Sequence, residues 1–188
     1  MLKLAVQFWV NPRASMRGVL DRQPGESLLA ALIFLAVMIL LAGRFWIIAL
    51  TPTVELGSID DDARLQHMAA NTTAAFLLVL VFYGFAAIGT LLCRLFRGTG
   101  GFWHGRVAFF WAALMSAPLL VASNVAPLLI QMSAPGAALA GQFGPVLFAW
   151  ALSQSYAEAF GFPRAWRVFA GLAVLILLPV LIIWMLSG

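Results

Sequence analysis

The sequence predicts an all-α integral membrane protein with five transmembrane helices and an N-terminal amphipathic helix lying on the membrane surface. Three observations predict it. The 188 residues are 63% hydrophobic and 10% charged, against about 45–50% and about 25% in a soluble domain. A chain of this size cannot hide that apolar surface within itself, so a bilayer must take the excess. Five apolar runs approach the ~20 residues that a helix needs to cross the hydrocarbon core. Finally, nine of the eleven basic residues fall in alternate connections between those runs.

Residues 1–26 read as a cytoplasmic, interfacial segment. After Lys3 the apolar stretch is short, because Asn11, Pro12, Arg13 and Arg17 interrupt it. A cleavable signal needs a longer apolar core and a small-residue cleavage site. Asn11-Pro12 is a helix start, with Asn as N-cap and Pro in the first helical position. On that helix Met16, Val19 and Leu20 share one face, and Arg13 and Arg17 share another. This pattern suits a helix lying on the inner surface with its arginines near lipid phosphates. Phe8 and Trp9 are the expected anchors of the preceding stretch.

Residues 27–188 form the transmembrane domain, with spans at about 28–50, 73–93, 107–130, 137–157 and 168–187. Prolines 118, 127, 145 and 179 fall within the last three of these spans or at their early turns. They predict kinks, which neighbouring helices and waters tolerate. Region 118–145 holds the least distinct boundary, and a re-entrant segment there is the alternative to two full spans. The second span is expected to start outside the bilayer near Asp61. No Gly or Pro follows until Gly84, so the helix should run unbroken into the membrane.

Charge sets the orientation. Lys3, Arg13, Arg17 and Arg22 precede the first span; Arg94, Arg97 and Arg106 lie between the second and third; Arg164 and Arg167 lie between the fourth and fifth. The opposite set of connections carries one basic residue, Arg64, together with Glu55, Asp60, Asp61 and Asp62. The positive-inside rule then puts the N-terminus in the cytoplasm and the C-terminus outside, in the periplasm if the membrane is a bacterial inner membrane. The net charge of +4 is spread over loops beside apolar runs, so the expected partner is the anionic lipid surface rather than nucleic acid. Arg13, Arg17, Arg97, Arg106, Arg164 and Arg167 are the candidate lipid or partner contacts.

Four polar residues stand out within or beside the spans: Arg44, Asn124, Gln154 and Glu158. A charge inside a span is expensive and draws attention to function. Arg44, however, lies close enough to the outer end to snorkel to the headgroups. The alternative is an ion pair with Glu55 or one of Asp60–Asp62. Asn124, Gln131, Gln142 and Gln154 would line a polar pathway if the third and fourth spans bring them together. The same spans carry small residues at helical spacing, Ala112/Ser116, Ala113/Ala117 and Ala149/Ser153/Ala157, which let helices approach closely.

The remaining chemistry is sparse. Asp60–Asp62 with His67 has no metal-ligand spacing, and capping of the following helix accounts for the acids. The glycines around His104 lack the Gly-Lys-Ser/Thr of a phosphate loop. Cys93 is the single cysteine, so no intrachain disulfide forms and it reads as a small buried hydrophobe. Neither a zinc-protease nor a serine-hydrolase motif is present. No enzyme activity, metal or cofactor is therefore expected.

Three motifs resemble a known family. Asn11-Pro12-Arg13-Ala14-Ser15-Met16-Arg17-Gly18-Val19-Leu20 precedes the first span. Gly100-Gly101-Phe102 leads into the third, which has Ser116-Ala117-Pro118 at its middle. Glu158-Ala159-Phe160-Gly161-Phe162-Pro163-Arg164-Ala165-Trp166 precedes the last. Together, over about residues 11–186, they resemble the Yip-domain (Ypt-interacting protein) family, in a short bacterial form. The resemblance implies five spans and a cytoplasmic N-terminus. Eukaryotic members of that family bind small GTPases and act in vesicle trafficking, an activity not expected of this sequence, which reads as having only a brief N-terminal tail in place of their long cytosolic region.

The expected function is that of a non-catalytic multi-pass membrane protein. It would act as a scaffold, assembly or membrane-organising factor through helix packing and a basic cytoplasmic face, with a membrane-protein partner or a second copy of itself. A small transporter or channel subunit built on the polar residues of spans three and four is the alternative.

Overall fold

The computed structural model describes residues 1–50 and 61–171, with side chains left aside at 48, 49 and 61–72. Among the described residues the chain is all-helical. The helices are α1 (Leu2–Val10), α2 (Pro12–Leu20), α3 (Glu26–Leu50), α4 (Asp61–Leu95), α5 (Phe102–Leu129) and α6 (Ala134–Ala159). A further helix opens over 165–171. The fifth predicted span, 168–187, falls almost wholly outside the described residues, as do Glu55 and Asp60.

Four helices are long and apolar enough to cross a membrane: Glu26–Ile47, Thr73–Leu95, Phe102–Leu129 and Ala134–Ala159. Their outward faces carry large apolar side chains, among them Phe34, Leu35, Phe76, Leu80, Leu139 and Phe143, each at least half exposed. Such side chains would be a liability in water and are what a helix offers to lipid. Helix α4 begins at Asp61 and runs without interruption to Leu95, as the absence of Gly and Pro before Gly84 predicts.

Local chemistry explains the boundaries. Asn11 caps α2, its side-chain oxygen accepting from the Ala14 amide at 3.1 Å, and Pro12 fills the first helical position. Helices α4, α5 and α6 all end in the same closure. At α6 the Phe162 amide donates to the Ala157 carbonyl at 2.8 Å, with Gly161 left-handed at φ 72°. Gln131 (φ 51°) and Arg97 (φ 65°) take that place after α5 and α4. These are Schellman closures, in which a left-handed residue turns the chain out of the helix and satisfies its last carbonyls.

Pro118 and Pro127 lie inside α5, and the helix continues through both to Leu129. Residues 118–145 therefore form the end of one long helix, a tight turn and the start of the next. The first span begins at Glu26 and the third at Phe102, each a little earlier than the apolar pattern alone suggests.

The helices meet most extensively at α5 with α6 and α3 with α5. Helix α5 is thus the centre of the bundle, and its residues Val107–Leu114 are continuously buried. Close approach depends on small residues. A Cβ at Gly105 would strike Thr90 of α4, and one at Gly144 would lie 2.5 Å from Ser123 Oγ of α5. Ser116, Ala117, Ser153 and Ala157, members of the small-residue stripes, are all buried. This is the packing expected where lipid removes the hydrophobic drive between helices and contact distance decides.

Candidate functional site

The basic segments converge on one end of the bundle. The N-terminal helices form an antiparallel hairpin, with Leu4 packed on Gly18 and the Ser15 hydroxyl donating to the Leu4 carbonyl at 2.7 Å. This hairpin is docked into the bundle. Phe8, Met16 and Val19 are fully buried. Phe8 meets Trp150 of α6 edge-on, with ring centroids 6.5 Å apart. The Trp111 indole of α5 donates to Ser15 Oγ at 3.3 Å. Trp111 lies five residues beyond Arg106 on α5, about 7.5 Å along the axis. The apolar face of α2 and the Phe8 side chain, expected on the lipid surface, are thus covered by α5 and α6 instead, while Trp9 is exposed.

Ion pairs hold the arrangement. Arg13 Nε donates to Glu158 Oε2 at 3.0 Å, and Arg17 reaches Glu158 Oε1 at 2.7 Å. Arg13 also donates to the carbonyls of Phe162 (2.8 Å) and Pro163 (3.1 Å). One arginine thus grips both the last turn of α6 and the loop that follows it. Glu158, whose side chain is only 10% exposed, bridges two arginines and offsets one of their two charges. Arg106 makes a two-pronged pair with Glu26 at 2.6 and 2.8 Å. Beside it the Trp103 indole donates to the Pro24 carbonyl at 3.3 Å. His104 caps α5, its Nδ1 accepting from the Gly101 amide at 3.2 Å. The Thr99 amide donates to the Phe160 carbonyl at 3.2 Å, joining the second basic connection to the third.

The structure therefore sorts the six candidate contact arginines into two groups. Arg13, Arg17 and Arg106 have protein partners, so their first role is to assemble the basic end. Arg97, Arg164 and Arg167 are exposed, with no ion pair among the described residues. Lys3, Arg22 and Arg94 are likewise exposed on this side. Glu158, singled out as a polar residue of the fourth span, sits at the bundle end as the anchor for the N-terminal hairpin.

The other polar candidates do not converge. Asn124 is exposed and bonds within its own helix, to the Leu120 carbonyl at 2.8 Å. It faces Gly141 of α6, thirteen residues from Gln154 and so about 20 Å away along the helix axis. Gln131 and Gln142 are exposed, and Gln154 is half-buried. Arg44 is exposed near the end of α3 remote from the basic segments, the position from which a side chain snorkels. The acidic residues proposed as its partners lie outside the described residues or carry undescribed side chains.

Glu26, Ser15 and Trp111 help hold this assembly together and are not evident from sequence. Glu26 carried a signal, being an acid beside a basic segment. Ser15 and Trp111 carried none, since a serine in an amphipathic helix and a tryptophan in a span look generic. Among the described residues no group of His, Cys, Asp and Glu could hold a metal ion.

No family model, curated protein or solved structure matches the chain.

Proposed function

We propose that the protein is a non-catalytic membrane platform whose basic end faces the cytoplasm and contacts anionic lipid and a membrane-associated partner. The observation that carries this reading is the division of labour among the arginines. Arg13, Arg17 and Arg106 pair with Glu158 and Glu26. Six further basic residues stay exposed on the side to which those pairs draw the loops. Burying Glu158 to dock a hairpin while leaving the remaining cations outward makes a cationic surface, and such a surface suits anionic headgroups or an acidic partner.

The orientation follows the positive-inside rule, with the inner membrane of a bacterium as the proposed location. The Yip-domain resemblance agrees with this arrangement, because two of its motifs, at 11–20 and 158–166, are the two segments that Arg13 joins. The separation of Asn124 from Gln154 weighs against a single polar pathway between α5 and α6.

The test is site-specific photo-crosslinking in cells from positions 97 and 164, with position 139 on the apolar flank as control. The reading expects a discrete partner adduct from 97 or 164 and only lipid from 139. Equal labelling at all three positions, with no copurifying protein, would remove its basis.

A further inference from the structure

A cavity of about 360 Å³ lies where α4, α6 and the helix opening at 165–171 meet at the basic end. Its wall includes Leu92, Cys93 and Phe96 of α4, Tyr156 of α6, and Phe162 and Trp166 of the following segment. This volume is within the range of about 300–1,000 Å³ typical of small-molecule sites, and the wall is mostly apolar with few polar groups, as in those sites. Among the described residues Arg167 is the one charged residue that lines it.

The cavity has a direction. Gly89 and Phe96 both line it, seven residues or about 10 Å apart along α4, with Gly89 further into the predicted span and Phe96 beyond its end. The rim carries Phe96 and Trp166, 65% and 61% exposed. Arg94 and Arg164, near the lining residues Cys93 and Trp166 in the chain, are exposed. The apolar depth thus lies within a predicted span, while the cations stand at its end. A bilayer presents the matching amphiphile at this level, with an acyl chain below and a phosphate above. Tryptophan and arginine at the rim are the residues that hold such a boundary.

We propose that this cavity is a binding site for one anionic phospholipid of the surrounding leaflet, its acyl chain between α4 and α6 and its phosphate on Arg167. The proposal rests on the membrane reading above but not on the partner. A lipid could bind here whether or not crosslinking from positions 97 and 164 finds a protein.

Two substitutions address the two ends of the ligand. Arg167→Ala removes the cation and leaves the apolar wall. Gly171→Leu fills the cavity: Gly171 lines it, and a Cβ added there meets no heavy atom of the described residues within 4 Å. The measurement is native mass spectrometry of the full chain in detergent with equimolar phosphatidylglycerol and phosphatidylcholine. One phosphatidylglycerol should be retained with about fivefold preference, the contribution of one arginine near an anionic surface. Arg167→Ala should bring the preference close to unity, and Gly171→Leu should lose the bound lipid with unchanged helix content. Equal retention of the two lipids, or an unchanged preference in Arg167→Ala, overturns the proposal. Displacement of the phospholipid by equimolar oleate overturns it too, by making a free fatty acid the occupant.

Discussion

Arg13 and Glu158 lie 145 residues apart in the chain and meet at 3.0 Å. Their contact joins the first helical hairpin to the last described span and places the N-terminal and third basic segments on one surface. Glu158 is shared with Arg17 and mostly screened from solvent, so this pair sits between the surface and buried limits. Loss of the acid leaves two cations, Arg17 and the carbonyl-gripping Arg13, without their counter-charge, at a cost of about 1–3 kcal/mol. We expect Glu158→Ala to lower unfolding free energy in mixed micelles by that amount. A cycle with Arg13→Ala should show coupling above about 0.5 kcal/mol. Strict additivity would mean the pair does not dock the hairpin.

The Arg106–Glu26 pair has better geometry but worse burial, with 62% of the Glu26 side chain exposed. Screening by water limits such pairs to about 1 kcal/mol or less. Glu26→Gln should therefore cost clearly less than Glu158→Ala under the same denaturation conditions, despite the shorter distances. A larger loss at Glu26 would show that distance, not burial, governs ion pairs in this protein.

Gly105 is required by the α4–α5 crossing. Any Cβ there meets the Thr90 hydroxyl, which is itself held by the Ala86 carbonyl at 2.7 Å. Overpacking of this kind costs about 1–3 kcal/mol. Gly105→Ala should be destabilised to that extent, and adding Thr90→Ala should recover part of the loss. Additive losses in the double variant would refute the close approach.

Arg97 occupies a left-handed conformation that favours glycine. Arg97→Gly should raise stability by about 0.5–1 kcal/mol, read as a higher unfolding midpoint. If the exposed arginine serves partner contact, the same variant should lose copurification of that partner. A variant that is neither more stable nor impaired would leave Arg97 with no role in this account.

Much of the fold was legible because its signals are local or collective. The Asn11-Pro12 cap, the uninterrupted α4 from Asp61 and the four described spans each follow from short-range chemistry or from a window of apolar residues. The small residues at 112–117 and 149–157 announced close packing, and most of them are buried. The destination of each charge was not legible. Arg13 and Arg97 look alike in sequence, yet one is consumed by Glu158 and the other is exposed, because tertiary packing brings an acid to only one of them. The docking of Ser15 on Trp111 is likewise a long-range outcome that no periodicity encodes. Asn124 and Gln154 looked like partners because their helices are neighbours, but antiparallel packing put them near opposite ends.

The central claim is that the basic segments share one side of a membrane, facing the cytoplasm. Cys93 is the only native cysteine, so Cys93→Ser gives a background free of thiols. Single cysteines would then be placed at Thr99 and Gly161 on the basic end and at Met132 in the turn between α5 and α6. The measurement is labelling of intact cells, with the outer membrane made permeable, by a membrane-impermeant maleimide. The account predicts labelling at 132 without further treatment, and at 99 and 161 only after the inner membrane is opened. Labelling of 99 or 161 from outside, or of all three positions from one side, would contradict it.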